Sequence, residues 1–177
     1  MNDIVRQLLK GFAFLAVQVF LLDRVPPLHR FLTPSLYLLF LLWLPFRIGR
    51  KPLLGIGFLY GLAVDLFTHT PGLHASACTL VAFLRPDLIG VLMPRQEGDA
   101  GRAEPSVPGM GLFPYTAYLF LLTLLHHAWV VFLEWLDLGD ALYFLLKVGA
   151  TTALSLLLMA VTEMAFRRVR AGRSAER

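Results

Sequence analysis

The sequence predicts an all-α membrane protein, six transmembrane helices in one bundle, and three observations predict it. Apolar residues make up 57% of the chain and charged residues 16%, against roughly 45–50% and 25% in soluble domains. The apolar residues gather into runs near the length of about 20 residues that a helix needs to cross roughly 30 Å of hydrocarbon. Lys and Arg fall almost entirely in alternate connectors between those runs, the asymmetry that orients membrane helices.

The predicted spans are 4–22, 31–46, 53–68, 72–93, 112–136 and 141–166, all in a single integral membrane domain covering 1–177. The first run follows Arg6 and Lys10 as a secretory signal would, but Leu21-Leu22-Asp23-Arg24 offers no small-residue cleavage site, so it is expected to remain as a helix. The second and third runs are short and could form one hairpin dipping halfway into the bilayer. The charged turn Arg47, Arg50 and Lys51 between them favours two full spans, locally thin or packed against longer neighbours.

Charge sets the orientation. Arg6, Lys10, Arg47, Arg50, Lys51, Arg95, Arg102, Arg167, Arg168, Arg170, Arg173 and Arg177 fall on one side, and only Arg24 and Arg30 sit in connectors on the other. Both termini are therefore expected in the cytoplasm, with Asp137 and Asp140 in an outer loop. The connector 94–111, rich in Gly, Pro and charge, reads as a flexible cytoplasmic loop. Val25-Pro26-Pro27 and Thr70-Pro71-Gly72 read as turns at the outer side. Trp43, Tyr115 and Tyr118 toward the inner boundary, with Trp129 and Trp135 toward the outer, read as interfacial aromatic belts.

Cys78 is the only cysteine and lies in an apolar segment, which excludes an intramolecular disulfide and leaves it a packing residue. The net charge of +4 resides beside membrane segments, not on a basic face with interleaved aromatics, so nucleic acid is not an expected partner. His69, His74, His126, His127 and Asp65 are ligand types, yet no His-Glu-x-x-His spacing is present, and adjacent His126 and His127 point about 100° apart on a helix. Ser35, Ser76 and Ser155 lack the glycine flanks of a nucleophile elbow. No catalytic residue, metal or cofactor is expected.

The residues that invite a role are polar or small. Gly57, Gly61, Asp65 and His69 recur every four residues, a stripe where another helix can approach closely, within the chain or from a partner. An ionised Asp65 in hydrocarbon costs at least about 2.5–3.5 kcal/mol and needs a partner, so it either caps the turn before Gly72 or anchors an assembly. His74, His126, Glu134 and Lys147 fall in the same outer half, forming a candidate polar cluster with Asp65, although Lys147 can also snorkel outward. At the inner boundary, Arg85 can reach headgroup phosphates, and Pro86 can bend the helix so that 87–93 lies along the surface.

The run Gly61-Leu62-Ala63-Val64-Asp65-Leu66-Phe67, continuing through Gly72-Leu73-His74-Ala75-Ser76-Ala77 to Phe83-Leu84-Arg85-Pro86, resembles the rod shape-determining MreD family. Gln18 in the first span, Pro34-Ser35-Leu36-Tyr37, Leu44-Pro45-Phe46 and Met93-Pro94-Arg95 resemble its Bacteroidota-type members. The resemblance implies a non-enzymatic subunit of the bacterial inner (cytoplasmic) membrane that supports cell elongation and peptidoglycan synthesis. Its implied partners are MreC and, through it, MreB and the RodA–transpeptidase pair. Gly61, Asp65, Gly72, His74, Arg85 and Pro86 match the family pattern, with no catalytic role attached. The family in turn resembles the substrate-binding subunit of energy-coupling-factor transporters, which supplies an alternative: a vitamin-binding subunit. Against it, the Ala-x-x-x-Ala surface of those subunits' first helix is broken here, where Ala13 is followed four residues later by Val17.

Overall fold

A computed structural model describes residues 3–22, 33–93, 104–135 and 141–175, and the described residues that form regular structure are all helical. Arg24, Arg30, Phe31, Leu32, Arg95, Arg102, Leu136, Asp137, Asp140 and Arg177 lie outside the described residues, as do the first ten positions of the connector 94–111 and the turn Val25-Pro26-Pro27. The helices are α1 (Asp3–Val17), continued by a π-helical stretch Gln18–Leu22, then α2 (Leu38–Leu42), α3 (Arg50–Thr68), α4 (Leu73–Leu92), α5 (Val107–Met110), α6 (Leu112–Trp135) and α7 (Ala141–Ala175).

Among the described residues, five stretches are long and apolar enough to cross a membrane: Ile4–Leu22, Arg50–Thr68, Leu73–Leu92, Leu112–Glu134 and Ala141–Phe166. Their outward faces are apolar, with Ile4, Leu8, Phe12, Leu59, Leu66, Leu145 and Leu157 all more than half exposed. A shell of that kind is unfavourable in water and favourable in lipid. The chain is a multi-pass helical membrane protein.

The second predicted span is corrected. Only Leu38–Leu42 is α-helical, and residues 35–45 are buried without exception. Pro34 and Pro45 bracket the segment. Pro45 lacks an N–H and disfavours helix at Leu44, so no helix long enough to cross can form between the two prolines. Yet the segment traverses the core, because Tyr37 meets His74 while Leu44 meets Arg85, three turns apart on α4 or roughly 16 Å. Irregular backbone survives at membrane depth only when protein surrounds it. Here the surrounding helices do so, and Leu38, Leu39, Leu41 and Leu42 are among the most enclosed aliphatic side chains of the core.

Gly57 and Gly61 bring α3 and α4 together. A Cβ on Gly61 would lie 2.4 Å from the His74 carbonyl oxygen and 2.6 Å from Ala75 Cα, and one on Gly57 would lie 2.9 Å from the Cys78 carbonyl oxygen. The turn between the helices needs left-handed backbone at His69 (φ 57°) and Gly72 (φ 86°). His69 thereby leaves the helical stripe and is exposed. Beyond this pair, α4 packs on α6 and α6 on α7.

The connector reading is also corrected in its described part. Ser106 caps α5 by accepting the Gly109 N–H at 3.3 Å, and Met110 is buried in the core. Glu104 bonds Lys10 Nζ at 2.7 Å and Gln7 Nε2 at 2.8 Å, with Arg6 at 3.6 Å. A carboxylate facing three polar donors, rather than Gly and Pro content, decides the order of this half.

Candidate functional site

Each buried polar side chain at membrane depth needs a partner, since water is not there to supply one. The partners found are mostly the backbone of the chain itself. The entry to the central segment is held by Gln18, whose Oε1 accepts the Leu36 N–H at 2.8 Å while its Nε2 donates to the Pro34 carbonyl at 2.9 Å. Gln18 starts the π-helical stretch of the first span. Ser155 Oγ on α7 accepts the Ser35 N–H at 3.0 Å and shares a 3.0 Å bond with His127 Nε2.

The exit is held by Arg85 and Tyr118. The Arg85 guanidinium donates to the Leu42 and Leu44 carbonyls and, through Nε, to Tyr118 Oη at 2.7 Å, and Tyr118 donates to the Leu42 carbonyl at 2.8 Å. These carbonyls are the orphans that a helix terminus leaves, and a fork of fixed donors suits a group of them. Arg85 is 1% exposed, which corrects the expectation that it reaches headgroups. α4 also runs on through Pro86 to Leu92, and its far end is tied by an ion pair between Asp87 and Arg50.

Asp65 faces the start of α4. Its two carboxylate oxygens accept the N–H groups of Gly72 (3.0 Å), His74 (2.8 Å) and Ala75 (2.9 Å) and the Thr70 hydroxyl (3.0 Å). Three unpaired N–H groups and a helix dipole make a favourable seat for an anion. The sequence could not show which of the two roles for Asp65 applies. The structure places it as a cap, with backbone rather than Lys147 as its partner.

The other members of the sequence-derived cluster divide. Tyr37 Oη lies 2.9 Å from His74 Nδ1 and 2.7 Å from His126 Nε2, so with one proton to give, it donates to one ring and accepts from the other. Lys147 pairs with Glu134 at 2.6 Å instead of snorkelling. The five residues therefore form three groups: the Asp65 cap, the His74–Tyr37–His126 chain and the Lys147–Glu134 pair. His126 and His127 take separate partners, their rings 5.2 Å apart and nearly perpendicular.

Tyr37, Tyr118 and Ser155 are signalled in the sequence only as polar groups inside apolar runs, which need a partner elsewhere, and Glu104, in a polar connector, carries no such signal. The aromatic-belt reading is corrected for Trp43, Tyr115 and Tyr118. All three are buried, with Trp43 Nε1 donating to Tyr115 Oη at 3.0 Å. Trp129 is half-buried and donates to Ser76 Oγ at 3.2 Å, and the side chain of Trp135 lies outside the described residues. Among the described residues no group of three His, Cys, Asp or Glu side chains is arranged to hold a metal ion. Comparison with protein-family models, curated proteins and solved structures finds no match.

Proposed function

We propose that this chain is a non-enzymatic scaffold subunit of the bacterial cell-elongation complex in the inner membrane. In this reading it is an MreD-like protein that holds an MreC-type partner and acts through it on MreB and the RodA–transpeptidase pair. One observation carries the reading. Five of the six residues that match the family pattern, Gly61, Asp65, Gly72, His74 and Arg85 but not Pro86, build the α3–α4 pair and secure the central segment. A motif spent on architecture suits a protein that works by presenting a surface.

The alternative, a vitamin-binding subunit, needs room in the outer half of the bundle. Tyr37 occupies the space between His74 and His126 there, and both Tyr37 and His126 are at most 1% exposed. The charge asymmetry supports cytoplasmic termini. Labelling of cysteines introduced in 94–103 should occur from the cytoplasm and in 136–140 from the outside; the reverse result would overturn the orientation.

The test of function is co-purification with the MreC-type protein of the same genome, together with restoration of rod shape in MreD-depleted cells. A vitamin that raises the melting temperature by several degrees, with no MreC capture, would favour the transporter reading.

A further inference from the structure

Between α6 and α7 lies a groove of about 420 Å³ with almost wholly apolar walls, Leu119, Phe120, Leu156 and Ala160 among them, and one carboxylate, Glu163. α5 closes one end with Val107, at the level where Glu163 interacts with Tyr115. Gly149, Ala153, Leu156, Ala160 and Glu163 of α7 fall within one narrow stripe at 100° per residue, a track with small residues on either side of Leu156. Gly149, Ala153 and Ala160 are exposed, and a Cβ on Gly149 would meet nothing within 4 Å. From Gly149 to Glu163 the track is roughly 21 Å long at 1.5 Å per residue, most of a bilayer's hydrocarbon thickness.

We propose that this groove and track seat one transmembrane helix of the partner protein, through a face of small and apolar residues and a Lys or Arg at the depth of Glu163. The proposal rests on the scaffold reading above, which supplies the partner. Three features of the molecule select a helix at this surface. Small residues admit a close backbone, and van der Waals contact at such sites is what drives helix association where lipid removes the hydrophobic drive. A carboxylate in an apolar wall favours a cation and disfavours the phosphate of a lipid headgroup. The stripe is also distinct from the Gly57 and Gly61 surface, which is already filled by α4.

The experiment co-expresses the full chain with the MreC-type protein and places a photo-crosslinking residue at Thr116 or Ala160 in the groove, or at Leu59 on the exposed face of α3. Crosslinks from 116 and 160, but not 59, to the partner's transmembrane segment are expected. Ala160→Trp, with an unchanged melting temperature, and Glu163→Lys should each lower partner capture at least tenfold, and replacing the partner's Lys or Arg with Glu should restore capture by Glu163→Lys. If the partner is captured undiminished by both variants, or crosslinks only from 59, the groove assignment falls and the scaffold reading stands. Crosslinks from the groove to lipid or to a second copy, with the partner held elsewhere, overturn it equally. Failure of the wild-type chain to capture the partner at all would remove the scaffold reading and this proposal with it.

Discussion

Gly61 offers the sharpest quantitative test of the α3–α4 pair. Substitution by Ala places a Cβ 2.4 Å from the His74 carbonyl oxygen and 2.6 Å from Ala75 Cα, both main-chain atoms that no rotamer change can move aside. Restoring ordinary contact near 3.4 Å requires the two helices to separate locally by about 1 Å, and a gap of that size forfeits up to half of the dispersion energy of each contact it opens. Overpacking of this kind costs about 1–3 kcal/mol. The shift also pulls the α4 N-terminus from Asp65, whose three N–H bonds lie one helical turn further on, and hydrogen bonds to a charged group are each worth about 1.5–3 kcal/mol. Gly61→Ala is therefore expected to destabilise by about 3 kcal/mol or more, and Gly61→Leu to prevent folding. Gly55, on the same helix with nothing within 4 Å of its Cβ position, is the control. Gly55→Ala should be neutral or stabilise by up to about 1 kcal/mol through helix propensity. Melting temperatures in one detergent, with insertion checked by yield, read both. Equal melting of Gly61→Ala and wild type, or equal losses at Gly55 and Gly61, would refute the close-approach argument.

Further outcomes follow from the same polar framework. Asp65→Asn replaces one carboxylate oxygen with a donor facing N–H groups and should cost about 1–3 kcal/mol. Because Lys147 pairs with Glu134, adding Lys147→Met should be additive within about 0.5 kcal/mol, and strong coupling would join two groups that the structure separates. Arg85→Met strands the Leu42 and Leu44 carbonyls and should destabilise by about 2–5 kcal/mol; Arg85→Lys, lacking the fork, should recover only part of this, and full rescue would argue for simple charge. At Glu104, burial pushes the carboxyl up, but the Lys10 bond and charge, the Gln7 bond and Arg6 outweigh it and hold the group below its ordinary 4.5. A lowered folded-state value stabilises above the unfolded one and is lost as pH falls through the folded one, so docking of the connector onto α1 should weaken only below pH 4.5. Protease cutting within 94–103 should then rise in acid for wild type and not depend on pH for Glu104→Gln; a wild-type rise near pH 7 would exclude Glu104 as its cause.

Composition and run length alone determined that this is a multi-pass helical membrane protein, because hydrocarbon imposes a length and a polarity that any spanning helix must meet. The α3–α4 turn was legible too, since Thr70-Pro71-Gly72 is local chemistry, and the small residues at 57 and 61 announced a close approach without naming the neighbour. The second span departs from the expectation because Pro34 and Pro45 override its apolar content. A run of buried leucines looks the same whether it makes a spanning helix or an irregular strand of core wrapped by other helices. Only the tertiary structure decided which polar side chain answers which backbone group. Gln18, Arg85, Tyr118 and Ser155 lie up to 120 positions from the atoms they satisfy. Asp65 and Lys147 were grouped by depth, yet they part company because depth does not specify the azimuth at which a side chain leaves its helix. Which of several possible partners a buried charge takes is set by helix packing, and packing is a property of the whole bundle rather than of any one segment.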